Sequence, residues 1–319
     1  MAQATGTYSS YDASDANRED LSDVIWDVSP SETKFLSAIK KTKATATNHE
    51  FLTDALEDPA ANAHIEGDDA TPTAPTAPTR LSNYCQILKK HAVVSGTQEA
   101  VDKAGRKSEM SYQVARRMKA IKKDAEYAML NGGAAIGNAK AAGDDSTARE
   151  MGTLNTYLVN NVSVGSTGAA SAGNGAVMTA GTDRDLTEAL LTSVLQTTYD
   201  NGGDPKMLFV SPTNKGVVST FTGGGTHYVD KDDKSLVNSV DVYIGDFHTM
   251  QVVPVRAAQM TGDNVYAVDP EYVAWAELRP ISAKDLAVTG DSMRKEITWE
   301  GTLEVCNPDA HALIADTNG

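Results

Sequence analysis

Between Ala44 and Asn131 an acidic, proline-punctuated tract runs straight into a basic amphipathic helix. Asp54, Glu57, Asp58, Glu66, Asp68 and Asp69 crowd residues 45–79, whose large apolar residues are Phe51, Leu52, Leu56 and Ile65. So little apolar surface does not offset the entropy of ordering an extended arm on an isolated monomer. The arm is therefore expected to fold against a partner. The basic helix that follows points to another copy of the same chain.

Residues 45–51 and 81–94 are predicted to be the two strands of a long hairpin, since Tyr84, Ile87, Val93 and Val94 favour extended backbone. Pro72, Pro75 and Pro78 recur every third residue, the repeat that lines one edge of a polyproline II segment. With limbs of about 20 residues the arm would reach about 60 Å. The helix is predicted over residues 98–130, with Met110, Val114, Met118, Ile121, Ala125 and Met129 on one stripe. Its length would be about 45 Å. Gly105 is its weak point, a bend or a break in two. Arg116, Arg117, Lys119, Lys122 and Lys123 fill the rest of its surface. This basic face reads either as a solvated surface or as a dock for the acidic arm of a neighbouring subunit. Phosphate contact is disfavoured by Asp124 and Glu126 on the same helix. Exposed ion pairs contribute only about 0.2–1 kcal/mol each, so charge would set register rather than hold the arm.

Elsewhere residues 1–17 are small and polar, a flexible arm. Ser29-Pro30-Ser31-Glu32 reads as a helix start, with Phe35, Leu36 and Ile39 on the apolar side and Lys40, Lys41 and Lys43 at the C-terminal end. Residues 131–181 are rich in Gly, Ala, Ser, Asn and Thr and read as a surface insertion or long loop, with a short strand at 157–164. A helix carrying Leu186, Leu190, Val194 and Leu195 should stop at Asn201-Gly202-Gly203. A buried strand at 207–210 and a helix opened by Ser211-Pro212 follow. Strands are predicted at 240–244, 250–255, 265–268 and 273–278, and a half-buried one at 297–305. The fold class is α+β.

The net charge of −15 over 319 residues argues against a dedicated nucleic-acid binder. No apolar run is long enough to span a bilayer, and residues 1–10 lack the features of a signal peptide. Cys85 and Cys306 stand far apart and read as unpaired thiols. His49, His64, His91, His227, His248 and His311 show no ligand spacing, so no metal or cofactor is expected. The run Asp230-Lys231-Asp232-Asp233 lacks the glycine and glutamate of a calcium loop. No nucleotide-binding or hydrolase motif is present, and no catalytic residue is nominated.

Several segments resemble one family. They are VSPSETKFLSAI (28–39), VSGTQEAVDKAGRKSE (94–109), LLTSVLQTTYDNGGDPKMLFVSPTNKGVVSTF (190–221), VDPEYVAWAELRP (268–280) and LAVTGDSMRKEITWEGTLEV (286–305). Together they resemble the tailed-bacteriophage major capsid proteins with the Hong Kong 97-type shell fold. The resemblance implies an N-terminal arm (1–41) and an E-loop (42–94) that lies over the neighbouring subunit. It implies a P-domain (95–131 and 280–319, with a long spine helix) and an axial A-domain (182–279). Residues 132–181 match nothing clear in that family. The resemblance further implies self-assembly into pentamers and hexamers, closing an icosahedral shell around double-stranded DNA. Contacts between subunits are then expected from Asp54, Glu57, Asp58, Glu66 and Asp68 of the E-loop and from Arg116, Arg117, Lys119, Lys122 and Lys123 of the spine.

Some members of the wider fold crosslink through an E-loop lysine; residues 44–88 contain no lysine, so no isopeptide bond is expected. The short stretch before the first family motif implies a separate scaffold protein. A portal protein and cement proteins are further expected partners, with passive proximity to DNA and no membrane. The expected location is the virion, after assembly in the host cytoplasm. The alternative from another class is an extracellular or tail-associated binding module; an enzyme ranks third.

Overall fold

The computed structural model describes residues 32–54, 56, 59–69, 74–75, 77–131, 137–221, 241–260 and 263–318. The chain opens with helix α1 (Lys34–Ala38) and strands β1 (Lys40–Lys43), β2 (Asn48–Thr53), β3 (Thr79–Tyr84) and β4 (Gln86–Ser95). Helices α2 (Gly96–Ala100) and α3 (Glu109–Leu130) follow, then β5 (Val162–Ser163), α4 (Glu188–Asp200), β6 (Met207–Val210) and α5 (Pro212–Val218). The last strands are β7 (Val242–Ile244), β8 (Thr249–Pro254), β9 (Val265–Val268), β10 (Val273–Asp285), β11 (Ser292–Val305) and β12 (Ala312–Ile314).

These strands form a four-stranded sheet β1-β10-β11-β4, a six-stranded sheet β5-β12-β9-β6-β8-β7, and the hairpin β2-β3. In the six-stranded sheet the two-residue side-chain period sends alternate residues to opposite faces. Leu208, Val210, Val265, Ala267, Ala312 and Ile314 join Leu191, Val194 and Leu195 of α4 and Val218 of α5 in one core. Phe209, Tyr266, Val268 and Leu313 face the other way, into a larger core shared with α1, α3 and the long strands. Both faces are thus covered, which explains why β9 and β12 are buried throughout.

β10 and β11 form a long antiparallel ribbon, with Val273 opposite Val305 and Asp285 opposite Lys295. Its register shifts between Glu277 and Arg279 and again between Arg279 and Ser282. The Trp275 and Trp299 rings pack 4.9 Å apart at its buried end. Gly301 lies beneath Trp275; a Cβ there would sit 2.6 Å from the indole.

Helix ends follow local chemistry. Thr187 caps α4 by accepting from the Leu190 amide, and Gly202 takes φ +81° just past its end. Ser211 caps α5 ahead of Pro212. The helix expected over 98–130 is two helices. Gly105, at φ +73°, lies in the break, where a left-handed backbone suits glycine. α3 then restarts with Ser108 accepting from the Ser111 amide, while the Glu99 carboxylate accepts from the Glu109 and Met110 amides. At 22 residues α3 is about 33 Å long, shorter than expected.

Other expectations are corrected. Residues 81–94 are not one limb of the arm. The chain bends at buried Cys85, so β3 pairs with β2 over six residue pairs while β4 joins β11. The paired part of the arm is accordingly about 20 Å long. Lys40, Lys41 and Lys43 do not end a helix; they form β1, an exposed edge strand parallel to β10. Charged lysines on an edge discourage unwanted strand pairing. Of the strand expected at 157–164 only β5 forms, behind a single 3-10 turn at Leu154–Thr156. Residues 312–314, grouped by sequence with the P-domain as part of 280–319, pair with β9 and β5 in the six-stranded sheet. The capping positions Ser29, Pro30 and Ser31 lie outside the described residues, and α1 begins after Thr33.

Residues 132–181 were expected on the surface. Instead Met151, Leu154, Tyr157, Leu158 and Met178 are core residues. They are joined by buried Thr153, Asn155, Thr156, Asn161 and Ser171, which satisfy their polar groups internally. Burial here depends on hydrogen bonding rather than on apolar periodicity.

Candidate inter-subunit surfaces

The hairpin β2-β3 is gripped at its root and bare beyond it. Phe51 packs on Tyr157 with ring centroids 6.3 Å apart. The Tyr157 hydroxyl donates to the Ser82 carbonyl at 3.0 Å, and Lys140 Nζ donates to the same carbonyl at 3.0 Å and to Ser82 Oγ at 2.9 Å. Asn83 is fully buried: its Nδ2 donates to the carbonyls of Gly152 and Leu303, and its Oδ1 accepts from the Gly152 amide. On the other strand His49 pairs with Glu304 at 3.2 Å, and Thr42 donates to the same carboxylate at 2.6 Å. Hydrogen bonds from His49, Thr42 and Cys306 hold the Glu304 carboxyl below its ordinary range, with the His49 bond the largest cause.

Past this root Leu52 is 64 % exposed, Leu56 97 % and Ile65 83 %. Asp54, Glu66 and Asp68 are exposed around them, with Asp68 paired to His64 at 3.2 Å. Glu57 and Asp58 lie outside the described residues. A groove of about 310 Å³ runs beside the root, lined in part by Thr53, Asp54, Tyr157, Asn160 and Asp309.

On α3 the apolar stripe behaves as expected. Met110, Ile121, Ala125 and Met129 are buried, with Val114 and Met118 packed against them. Arg116, Arg117, Lys119 and Lys122 are exposed and Lys123 is half-buried. The acids of α3 are all engaged inside the subunit. Glu109 is paired with Arg106 and bonded by Gln113, Asp124 pairs with Lys90 at 2.7 Å, and buried Glu126 accepts from the Leu36 amide at 3.0 Å. Among the described residues none of Arg116, Arg117, Lys119, Lys122 and Lys123 makes an ion pair. Asp124 and Glu126, on which the case against phosphate contact rests, are thus engaged inside the subunit. At 100° per residue Arg116, Lys119 and Lys123 fall within one 60° sector opposite the buried stripe.

Among the described residues neither Glu66 nor Asp68 pairs with any of these cations within the chain. The root contacts of Asn83, Lys140 and Tyr157 are invisible to sequence reasoning, because they join residues 58 to 220 positions apart. Among the described residues no cluster of His, Cys, Asp and Glu is placed to hold a metal ion, and no helix is long and apolar enough to cross a membrane.

The model of the SU10 major capsid protein family matches residues 3–318. A major capsid protein of Escherichia phage Phieco32 is 36% identical over 121 residues, covering 37% of this chain and about a third, 34%, of that protein. Among solved structures, the Cyanophage A-1(L) capsid asymmetric unit superposes with a TM-score of 0.69 at 13% identity, covering 98% of this chain and 100% of that one. The capsid of a native GTA particle gives 0.64 at 13% identity, again with 98% and 100% coverage. Microbacterium phage Oxtober96 gives 0.63 at 12% identity, with 97% and 99% coverage. These relatives lend no support to the alternative of an extracellular or tail-associated binding module. With an anchored arm, a long ribbon beside a spine helix and a six-stranded α/β sheet in one chain, this protein belongs to the SU10 major capsid protein family and has the Hong Kong 97-type fold of tailed-phage capsids.

Proposed function

We propose that copies of this chain assemble into pentamers and hexamers that close an icosahedral shell around double-stranded DNA, with the β2-β3 arm of each copy lying on α3 of its neighbour. The observation that carries this reading is the contrast along the arm. Its root is fixed by buried hydrogen bonds while Leu52, Leu56 and Ile65 stand in solvent. Burying such side chains contributes about 1.5–3 kcal/mol each, enough to hold an arm that charge alone would not. In this reading Asp54, Glu57, Asp58, Glu66 and Asp68 of one copy face Arg116, Arg117, Lys119, Lys122 and Lys123 of the next. Charge complementarity then selects register and partner.

The role is structural and non-catalytic, in a virion assembled in the host cytoplasm. The N-terminal arm is residues 1–41 and the E-loop is centred on the β2-β3 hairpin; β4 and residues 95–131 join β10 and β11 in the P-domain, and residues 182–268 with β12 make up the A-domain. Residues 137–181 act as the cradle of the E-loop. Scaffold and portal are separate proteins, and cement proteins can attach outside. The arm clamps its neighbour without an isopeptide bond, since residues 44–88 lack lysine. The acidic chain disfavours adsorption of packaged DNA to the shell wall.

Negative-stain imaging of the purified chain tests the reading. Closed shells, or rings of five or six subunits, are the expected result, and a monodisperse monomer under all assembly conditions would overturn it.

A further inference from the structure

Helix α1 is the first described element of the chain. It lies in the larger core: Phe35 is fully buried and meets Phe209 edge-on, with centroids 5.2 Å apart. Its N-terminal side is held by polar contacts. Gln259 Nε2 donates to the Glu32 carbonyl at 2.7 Å, and Arg256 pairs with the Glu32 carboxylate at 3.8 Å. The third contact is unusual. The Glu126 side chain comes from α3, is fully buried, and offers Oε2 to the Leu36 amide at 3.0 Å, while its Oε1 has no partner among the described residues.

A buried carboxyl with one oxygen bonded and the other bare costs far less when protonated than when charged. We infer that Glu126 is a proton-operated latch between α3 and α1, closed firmly when its carboxyl is neutral and loosened when it ionises.

The charged and titratable groups on the elements packed here are Glu32 and Lys34 around α1, Lys122, Lys123 and Asp124 on α3, Arg256 after β8, and Tyr266 on β9. Asp124 is taken by Lys90, Arg256 by Glu32, and the Tyr266 hydroxyl by the Leu130 carbonyl at 3.1 Å. None of them governs Glu126. Burial is the main influence and pushes its carboxyl up to about 7, opposed only by the Leu36, Phe35 and Lys34 amides. Released into water with α1 undocked, the same carboxyl returns toward 4.5. Docking therefore takes up a proton between these values. The stabilisation is complete below pH 4.5 and is lost as pH rises through about 7.

The test is amide hydrogen exchange at Leu36 in the full-length chain, normalised to intrinsic exchange, from pH 5.5 to 8.5. Protection should fall about thirtyfold across that range, and Glu126→Gln should abolish the fall while keeping the amide protected. Flat protection in the unmodified chain, or the same slope in Glu126→Gln, would overturn the latch. Should the variant not fold, the side-chain carboxyl carbon signals of the unmodified chain decide. A glutamate titrating near pH 7 supports the proposal, and all glutamates titrating below pH 5 refute it.

Discussion

The Tyr157 hydroxyl donates to the main-chain carbonyl of Ser82 at 3.0 Å, tying a segment that reads as loop to the root of the β2-β3 arm. Tyr157 is fully buried, and burial pushes its hydroxyl well above the ordinary tyrosine range, so it remains a donor at any physiological pH. Tyr157→Phe keeps the ring against Phe51 and removes the bond. The expected cost is about 1 kcal/mol in global stability, with a larger local effect, since it leaves a buried carbonyl sharing only Lys140. Urea unfolding measures the first and amide exchange around residues 82–84 the second. Unchanged exchange there would show that Tyr157 does not hold the arm.

Leu56 and Ile65 are exposed, so Leu56→Asp with Ile65→Asp should leave the subunit's melting temperature within about 2 °C while abolishing shells. Differential scanning fluorimetry and electron microscopy on the same sample separate the two effects. Normal shells from this variant would mean that the apolar arm residues do not dock.

Charge reversal makes a reciprocal test. Asp54→Lys, Glu57→Lys and Asp58→Lys together should impair assembly, as should Arg116→Glu, Lys119→Glu and Lys123→Glu. Combining both sets should recover part of the assembly yield, because each exposed pair contributes about 0.2–1 kcal/mol and several act together. Light scattering during assembly at low and at 0.5 M salt reads this. Absence of any recovery would place the partner of these acids elsewhere.

Gly301→Ala should destabilise the chain by about 1–3 kcal/mol, because the new methyl meets the Trp275 indole inside a packed core. The near-ultraviolet circular dichroism of the Trp275–Trp299 pair should weaken in parallel. A fully stable variant would mean that the ribbon relaxes more freely than its packing implies.

His311 gives a pH dependence opposite in sign to that of Glu126. It is fully buried and accepts the Asp269 amide on Nδ1, and burial pushes it down to about 4 from 6.5. A depressed histidine stabilises above the unfolded value, and that stabilisation is lost as pH falls through the folded one. Stability by urea should thus decline from pH 6.5 toward 4, with a shallower decline in His311→Gln. Equal slopes in both proteins would assign the acid sensitivity to other groups.

Much of the fold is legible where one rule dominates locally. α4 and α5 announce themselves through Thr187, Ser211-Pro212 and Gly202, each acting within a few residues. Gly105 marks its break for the same reason. The bend at Cys85 is different: the alternation of residues 81–94 runs straight through it, and the switch of partner from β2 to β11 is decided by tertiary pairing alone. Residues 137–181 were misread because Asn155, Thr156 and Ser171 are buried through their hydrogen bonds, and polar residues carry no burial signal in a sequence. The basic residues of α3 could be listed from composition, but the neutralisation of Asp124 and Glu126 could not.

The register shifts between Glu277 and Ser282 divide the β10-β11 ribbon into unlike halves. On one side Val273–Ala276 and Gly301–Leu303 are buried; on the other Ile297 and Thr298 stay buried opposite Ala283 and Ser282, while Lys284, Asp285, Leu286 and Val288 are in water. Bulges concentrate bending and twist at one place. A tilt of the tip beyond Ala283 and Ile297 moves solvated residues while Trp275 and Trp299 stay seated, so its cost is in hydrogen-bond geometry rather than in lost burial. One sequence can in this way present several curvatures from an unchanged core.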